Sequence, residues 1–280
     1  MVILLLQYLW HSFIISIMPK VSVIMGIYNC APYLQEALDS LYAQTFQDFE
    51  IILCEDGSKD DTYAIALKNA EAHPNIKLLR NEHNMGLNIT LNNCLKEATG
   101  EYIARMDGDD ISLPTRFEKE VVFLDTHPEF AIVSTPMIYF DEKGEFRRGK
   151  GGNAPTTKSF IKGTPHCHAP CMVRHEAYEA VGGYTVDEHL LRVEDYHLWM
   201  KMYTNGYRGY NLDECLYAMR DDRNAMARRR WKGSINEARV HLLACRTFHL
   251  PLKGYVYSFL PILKQMLPRF IYLYLHKKRF

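Results

Sequence analysis

Between residues 21 and 106, short apolar runs alternate with stretches in which apolar residues recur every three or four positions. The runs VSVIMGI (21–27), FEIILCE (49–55), IKLLR (76–80) and YIARM (102–106) have the length and apolar content of buried strands. The stretches between them have the period of amphipathic helices, and the first begins near Pro32. Repeated strand–helix units predict an α/β fold with a mostly parallel, doubly wound sheet and helices on both faces.

The pattern changes after residue 106. LPTRFEKEVVFLDTH (113–127) is periodic like a helix, and FAIVSTPMIYF (130–140) is predicted to be one strand that turns at residues 141–144. ARRRWKGSINEARVHLLACRTFHL (227–250) again has a helical pattern. We therefore predict an α/β domain over residues 19–220 and a C-terminal helical appendage over residues 221–280.

The first 18 residues, MVILLLQYLWHSFIISIM, are strongly apolar. They lack the positive start and the small-residue cleavage site of a signal peptide, and they are short for a membrane span. Met18 begins a stretch that resembles a natural start before a strand. We interpret residues 1–18 as a leader outside the fold, with a membrane-inserted helix as the alternative.

The formal net charge is zero, but the charges are unevenly distributed. Residues 238–280 contain eight Lys or Arg and no Asp or Glu, which leaves residues 1–237 with a formal charge of −8. The basic tail is apolar and aromatic and has no base-stacking motif, so nucleic-acid binding is not expected. It fits an element on the inner surface of a membrane. A helical appendage packed on the domain, with its basic residues in water, is the alternative.

Seven scattered cysteines, an odd number in a chain of 280 residues, are interpreted as reduced thiols of a cytoplasmic protein. The cluster His166-Cys167-His168-Ala169-Pro170-Cys171 invites a zinc interpretation. Structural zinc sites usually take a second ligand pair from a separate segment, and the sequence offers no convincing one.

Polar segments that follow the predicted strands are the candidate site, because ligands of such sheets bind at the carboxyl ends of the strands. The first, EDGSKDD (55–61), follows the second strand. A solvated turn in which Asp60 caps the next helix would explain part of it. Asp56, at the strand end, is placed to accept hydrogen bonds from a nucleobase or a ribose.

The second segment, Asp107-Gly108-Asp109-Asp110, follows the fourth strand. Three carboxylates within four residues repel one another unless a cation compensates them. Oxygen ligands of this kind suit Mg²⁺ or Mn²⁺, which would bridge to diphosphate oxygens. Gly108 allows a tight turn beside the ligand. A capped Asp-rich loop is the alternative, although it would need only one of the acids.

The third segment begins the amphipathic helix EDYHLW (194–199). Acids are favourable in a first helical turn because of the helix dipole, and that alone could explain them. The functional alternative is a general base, Asp195, that removes a proton from an acceptor hydroxyl.

Together with VSVIMGIYN (21–29), NEHNMGLNITLNNCLKEATGEYIARMDGDD (81–110) and VEDYHLWMKM (193–202), these segments resemble the family 2 glycosyltransferases of the GT-A fold. The resemblance covers residues 21 to about 217, and His197 stands where an acid is common in the family. It implies an inverting, metal-dependent enzyme of cell-surface polysaccharide synthesis on the cytoplasmic face of the membrane. A nucleotide-sugar, first of all a UDP-sugar, would be the donor, and a glycan or a lipid-linked saccharide would be the acceptor.

The resemblance also implies roles for individual residues. Asp56 would bond the base, Asp109 would hold Mn²⁺ or Mg²⁺, and Asp195 would be the catalytic base. Arg80 and Arg105 could face the diphosphate, or they could be ordinary surface or strand-end charges. The stretch 166–170 falls where such enzymes bring a loop over the donor sugar, with structural histidines as the alternative. The implied donor-binding residues at strand ends and in the Asn-x-Gly-Leu motif are Tyr28, Asn29, Asp56, Asn84, Gly86, Asp107 and Gly108.

Two other classes of protein share parts of this pattern. A sugar nucleotidyltransferase would normally carry a Gly-rich, Arg-containing loop after the first strand. This chain has YNCAPY (28–33) there. A catalytically silent binding module would keep the nucleotide cleft, and the presence of both Asp109 and Asp195 argues against it.

Overall fold

The computed structural model describes residues 18–221 and 231–266. The predicted leader lies outside the described residues apart from Met18, as do residues 222–230 and 267–280 of the predicted appendage. The strands are β1 (Val21–Ile27), β2 (Phe49–Glu55), β3 (Ile76–Arg80), β4 (Tyr102–Arg105), β5 (Ile111–Ser112), β6 (Ile132–Ser134), β7 (Met137–Asp141), β8 (Gly144–Arg148), β9 (Met172–Arg174), β10 (Gly209–Asn211) and β11 (Tyr217–Arg220). The helices are α1 (Ala31–Tyr42), α2 (Thr62–Ala72), α3 (Leu87–Glu97), α4 (Arg116–Thr126), α5 (His175–Val181), α6 (Glu194–Thr204), α7 (Trp231–Thr247), α8 (Leu252–Ser258) and α9 (Leu260–Met266).

A seven-stranded sheet in the order β10-β6-β9-β4-β1-β2-β3 forms the centre of the molecule. β1 pairs in parallel with both β2 and β4, whereas β9 runs antiparallel to both of its neighbours. Side chains of β1 alternate between two cores. Ile24 joins Leu91 and Cys94 of α3 on one face, and Val23 joins Leu34 of α1 on the other. The predicted doubly wound, mostly parallel α/β sheet is confirmed.

The helix α1 illustrates how the sequence places its elements. Pro32 lies in the first turn, where its missing N–H costs no hydrogen bond. Leu34, Ala37, Leu38 and Leu41 follow at helical spacing, and all four are buried. Full burial of each leucine side chain contributes about 1.5–3 kcal/mol. The apolar stripe of α1 thus fixes the helix on the sheet and fixes the loop that leads into it.

The predicted single strand over residues 130–140 is wrong, because the chain forms two strands in two sheets. β6 belongs to the central sheet and β7 to a second sheet of order β5-β11-β7-β8. Pro136 lies between them and has no N–H to donate to a ladder, so pairing cannot continue through it. The Thr135 hydroxyl instead accepts a hydrogen bond from the Leu216 N–H at 3.0 Å. The second sheet thereby packs β11 beside the loop that follows β4.

The order of the strands places a crevice at the carboxyl ends of β1 and β4. From β1 the chain moves outward through β2 and β3, and then returns to the other side of β1 as β4. In open α/β sheets such a reversal leaves a ligand crevice between the two connections. The C-terminal helix α7 buries Val240, Ala244 and Cys245 in the core cluster that contains Trp199 of α6.

Candidate active site

The loops after β1 and β2 are tied together at the edge of this crevice. Asn29 follows β1 and has a φ of 48°, a region that Asn tolerates better than most residues. Its side-chain oxygen accepts a hydrogen bond from the Lys59 N–H at 2.9 Å. Its own N–H donates to the Ser58 hydroxyl at 3.0 Å. Asn29 therefore joins two strand ends, and its implied place beside a nucleotide stays a prediction.

The buried Asp56 carboxylate orders the loop that precedes α3. One oxygen accepts hydrogen bonds from the Asn81 side-chain amide at 2.7 Å and from the Met85 N–H at 2.8 Å. The other accepts from the Gly86 N–H at 3.0 Å. A carboxylate oxygen has about two acceptor positions, so this second oxygen keeps one for a ligand. Asp56 therefore orders this loop, and its implied hydrogen bond to a base stays a prediction.

Asp107 and Arg105 form a two-pronged ion pair at the end of β4. The two terminal nitrogens of Arg105 donate to the two oxygens of Asp107, at 2.9 and 2.5 Å. The side chain of Arg105 is 5% exposed, and that of Asp107 is 26% exposed. Bidentate pairs of this kind fix orientation as well as charge. The guanidinium of Arg105 is thus directed at Asp107, and a direct contact with diphosphate stays a prediction.

The two remaining carboxylates of the segment have different environments. Asp110 is buried, and its Oδ1 accepts a hydrogen bond from the Arg220 N–H at 2.8 Å, which anchors the loop to β11. Asp109 instead lines a cavity together with Asp107. Burial raises the pKa of Asp109, and the neighbouring Asp107 charge adds to this. A Cβ at Gly108 would lie 2.8 Å from the sulfur of Cys30, so a larger residue there would require the Cys30 side chain to move.

Two cavities in the crevice share Gly26 and Tyr28 in their walls. The larger one has a volume of about 410 Å³ and the smaller one about 200 Å³. The larger is lined by residues that include Asp56, Asn84, Gly86, Leu191, Arg192 and Glu194. The smaller is lined by Asn29, Cys30, Tyr33, Asp107, Gly108 and Asp109. Two carboxylates therefore face the smaller cavity, and Tyr28 lies where the two cavities meet.

The smaller cavity has the chemistry of a partial metal site. Among the described residues, no group of three or more His, Cys, Asp or Glu side chains is arranged to hold a metal ion. Asp107 and Asp109 supply carboxylate oxygens, and the pKa of Asp109 is raised first by burial and then by the neighbouring Asp107 charge, which a cation would offset. Mg²⁺ is commonly bound by one or two carboxylates together with substrate phosphates. Asp107 and Asp109 fit a divalent metal as two of its ligands, and a bound metal would need further oxygen ligands from elsewhere.

The first turn of α6 contains two more carboxylates, Glu194 and Asp195. Glu194 lines the larger cavity, and its Oε2 is buried with no hydrogen-bond partner in the described part of the chain. Burial raises the pKa of Asp195, while the Tyr196 N–H and then the Arg105 charge act in the opposite direction. The Arg105 charge also lowers the pKa of Glu194, against the larger effect of burial. Arg105 thus acts electrostatically on the acids of α6 as well as pairing with Asp107.

Arg80 lies apart from these groups. Its Nε donates to Glu55 Oε2 at 3.2 Å, and its guanidinium carbon lies 3.9 Å from the centre of the Tyr63 ring. The side chain is 55% exposed. The structure pairs Arg80 with β2 and α2 and does not bring it to Asp107.

The two histidines of the 166–170 stretch make hydrogen bonds within the core. His166 Nδ1 lies 2.7 Å from Asn211 Oδ1, and its Nε2 lies 2.9 Å from the Tyr203 hydroxyl. Burial lowers the pKa of His166 to about 4, so the ring is neutral at pH 7. His168 Nε2 lies 2.7 Å from the Tyr184 hydroxyl. Both rings therefore have structural partners.

Sequence reasoning missed three residues that complete the site. Tyr217 accepts a hydrogen bond from the Asp107 N–H at 3.2 Å, and Arg220 Nε donates to the Asp109 carbonyl oxygen at 3.1 Å. Both belong to β11, more than 100 residues away in the sequence, and no local pattern connects them to β4. Glu194 was visible as the neighbour of Asp195, but only the fold shows that it faces the cavity.

Comparison with known proteins identifies related sequences. Residues 22–182 match the family described as Glycosyl transferase family 2. The chain is 43% identical over 262 residues to the putative glycosyltransferase EpsE of Bacillus subtilis, covering 93% of this chain and 94% of that protein. It is 30% identical to an Escherichia coli UDP-Gal:alpha-D-GlcNAc-diphosphoundecaprenol beta-1,3-galactosyltransferase, covering 93% and 96%.

Solved structures agree on the fold. The S. aureus TarS 1-349 structure in complex with UDP-GlcNAc superposes with a TM-score of 0.70 at 20% identity, covering 89% of this chain and 76% of that one. The mannosyltransferase PcManGT from Pyrobaculum calidifontis, in complex with GDP-Man and Mn²⁺, superposes with a TM-score of 0.65 at 20% identity, covering 88% and 74%. The predicted GT-A fold is confirmed.

Proposed function

The chain belongs to glycosyl transferase family 2, and on that basis we propose that it transfers a hexose from a UDP-sugar to a hydroxyl of a lipid-linked saccharide. The main support is the arrangement of acids around the two cavities. Asp107 and Asp109 face one cavity, Glu194 faces the adjoining one, and Arg105 acts on the acids of both β4 and α6. This arrangement supports a donor site in the crevice, with the acids of α6 beside it.

In this proposal the larger cavity takes the nucleoside and the smaller one takes the diphosphate. Asp56 retains an acceptor position for the base, and Tyr28 lies between the two cavities with 42% of its surface exposed. Asn84, Gly86 and Gly108 line the walls, so that backbone can approach the ligand closely. A UDP-sugar is favoured because the named E. coli relative uses UDP-Gal and TarS was solved with UDP-GlcNAc.

Asp109, with Asp107 beside it, would hold a divalent metal, Mn²⁺ or Mg²⁺. When bound, the cation would neutralise the negative charge that develops on the leaving diphosphate. Arg105 keeps the Asp107 carboxylate fixed in orientation, and Arg220 holds the Asp109 backbone from the opposite side. The presence of Mn²⁺ in the PcManGT structure supports metal use.

Asp195 would act as the general base. Its carboxylate takes the proton of the acceptor hydroxyl, and that oxygen forms a bond to the anomeric carbon. The bond from the anomeric carbon to the diphosphate oxygen breaks, and its electron pair leaves with UDP. Attack from the face opposite the leaving group inverts the anomeric configuration.

The acceptor would be presented at a membrane surface. The E. coli relative is named for an acceptor on diphosphoundecaprenol, which is a membrane lipid carrier. None of the described helices combines the length and the apolar character needed to cross a bilayer. We propose that residues 19–220 form the transferase domain, and that residues 221–280 associate with the inner face of the membrane. The enzyme would then serve cell-surface polysaccharide synthesis.

Release of nucleoside diphosphate from a panel of UDP-, dTDP- and GDP-sugars tests the donor site. Wild type and Asp109→Asn would be compared with Mn²⁺, Mg²⁺ or EDTA, with and without a polyprenyl-diphosphate GlcNAc acceptor. The proposal expects turnover of a UDP-sugar that requires metal and falls by about two orders of magnitude in the variant. Metal-independent turnover, or equal rates in both proteins, would contradict the assigned metal ligand.

A further inference from the structure

The outer face of the last two helices is apolar. Five large side chains of α8, α9 and the turn between them are exposed, at 79%, 61%, 50%, 54% and 66% of their surface. We call them the apolar stripe: Leu252, Val256, Phe259, Leu263 and Met266. Their spacing alternates between three and four residues, so at 3.6 residues per turn they lie within an arc of about 80°.

The two helices present this stripe as one continuous surface. The Phe259 N–H donates to the Val256 carbonyl at 3.3 Å, and the Leu263 N–H donates to the Phe259 carbonyl at 3.0 Å. These bonds carry the helical repeat across the junction. The stripe is therefore a single ridge about four turns long.

Small residues hold the opposite face against the protein and prevent the stripe from turning inward. Gly254, Ser258 and Pro261 are buried. A Cβ on Gly254 would lie 2.9 Å from the sulfur of Cys245 in α7. The Ser258 hydroxyl donates a hydrogen bond to the Gly254 carbonyl at 3.0 Å, within the same helix. These small residues and the half-buried Tyr255 face the core, whereas the large apolar residues of the stripe face outward.

Basic charge accompanies the stripe. Lys253 and Lys264 lie on one side of the stripe, at about 100–120° from Leu252 on the same helical wheel. Residues 238–280 contain no acid, and residues 267–280, which follow Met266 directly, add Arg269, Lys277, Lys278 and Arg279. An apolar face flanked by basic side chains, without acids, is the pattern of helices that lie in the surface of an anionic bilayer.

We propose that the apolar stripe is the surface through which the protein docks on anionic lipid, with α8 and α9 lying in the plane of the bilayer surface. This deepens the proposed function, on which it rests, by naming the residues that meet the membrane. A second copy of the chain is a poorer occupant, because it would bring two acid-free basic segments together. Residues 267–280 are a poorer occupant for the same reason, since they carry four further basic residues.

Vesicle co-sedimentation of the full chain provides the first test. Wild type and Val256→Glu/Leu263→Glu would be mixed with phosphatidylcholine vesicles that contain or lack phosphatidylglycerol. Both replaced side chains point outward, so the core is not disturbed. We expect the double variant to bind the anionic vesicles at least about tenfold more weakly, because apolar contact is lost and like charge is added. The matched control is Val122→Glu on α4, where the side chain is 56% exposed, and it should bind like wild type.

A second test reads insertion at the stripe itself, independently of any membrane contact made by residues 1–18. Tryptophan is introduced as Phe259→Trp, with Val122→Trp as the matched control. Brominated lipids in the anionic vesicles should quench the additional fluorescence at position 259 and leave that at position 122 nearly unchanged. Equal quenching at both positions, or unaltered sedimentation of the Glu variant, overturns the proposal. A dimer that the Glu variant dissociates, with unaltered vesicle binding, would assign the stripe to self-association instead.

Donor turnover separates this proposal from the one on which it rests. The Glu variant should release UDP from a free UDP-sugar at the wild-type rate, since the stripe has no residue in the two cavities. Asp109→Asn should lose that turnover and still bind vesicles like wild type. If only the Glu variant departs from its expected result, the docking surface is contradicted. If only Asp109→Asn departs from its expected result, the donor site is contradicted.

Discussion

Replacing Asp195 with Asn removes the ability of this side chain to accept a proton while leaving its size nearly unchanged. The structure places Asp195 in the first turn of α6, beside the cavity-lining Glu194. Positioned general bases contribute about 10²–10⁴ in rate. At 1.36 kcal/mol for each factor of ten, the expected loss is about 2.7–5.4 kcal/mol of transition-state stabilisation. The loss should appear in kcat, because Asp195 does not line the donor cavities.

The assay is steady-state transfer of labelled hexose to a lipid-linked acceptor, together with calorimetric binding of the UDP-sugar in the presence of metal. Asp195→Asn should keep donor affinity within about twofold, and Asp213→Asn, an exposed surface change, should keep full activity. The pH profile adds a second readout. Since burial raises the pKa of Asp195, kcat/KM should fall on the acid side at a higher pH than an ordinary aspartate would give. Full activity of Asp195→Asn, with loss in Glu194→Gln, would refute the assignment and move the base to Glu194.

Three further changes follow from the geometry. Arg105→Met removes the partner of Asp107, so thermal unfolding should show about 3–5 kcal/mol of lost stability. The acid side of the kcat/KM profile should also move to higher pH, because the Arg105 charge no longer lowers the pKa of Asp195. An unmoved profile would contradict this. Gly57→Ala would place a Cβ 2.6 Å from the backbone of His83 at a φ of +70°. Chemical denaturation should show a larger loss of stability than for Gly144→Ala, where a Cβ meets no atom within 4 Å and only about 1–2 kcal/mol of backbone strain is added. Equal losses of stability would disprove the clash. Burial lowers the pKa of His166 from 6.5 to about 4, so this residue is protonated in the unfolded state before it is in the folded state as the pH falls. About 3 kcal/mol of stability should therefore be lost between pH 7 and 4. If denaturant titrations of His166→Gln show the same pH dependence, His166 is not the cause of the loss.

The central elements of the fold were predictable because their signal is local. The four apolar runs before residue 106 and the helices between them follow from periodicity within windows of about 11–18 residues. The antiparallel insertion of β9 between β4 and β6 could not be predicted, because it depends on a pairing across about 70 residues that no window contains. The break at Pro136 had a visible signal, which the apolar character of the flanking residues masked.

The location of the site was predictable, whereas the roles of its individual residues were less so. Asp107, Asp109 and Asp110 all follow β4, and their residue type alone does not distinguish them, so the separate roles of Asp107 and Asp109 came from the family resemblance. In the structure Asp107 and Asp109 both line the smaller cavity, with Asp107 paired to Arg105, whereas Asp110 is buried and accepts a hydrogen bond from the Arg220 N–H. The difference arises from β11, a strand whose position depends on the whole second sheet.

The two arginines proposed to face the diphosphate show the same limit of local reasoning. Both stand at strand ends and are equivalent in the sequence. Arg80 is on the outer strand β3 and contacts Glu55 and Tyr63, whereas Arg105 is on the central strand β4 and forms an ion pair with Asp107. Only the order of strands in the sheet distinguishes the exposed Arg80 from the buried Arg105.

The central claim is that Asp109 holds a metal-bound donor while a base on α6 activates the acceptor for direct displacement. The most direct measurement is the anomeric configuration of the product, determined by NMR after transfer from a UDP-hexose to a polyprenyl-diphosphate GlcNAc acceptor, with and without EDTA and Mn²⁺ re-addition. The account predicts a product whose configuration is opposite to that of the donor, formed only with metal and absent with Asp109→Asn. A product with the donor's configuration, or one formed equally well in EDTA, would contradict it.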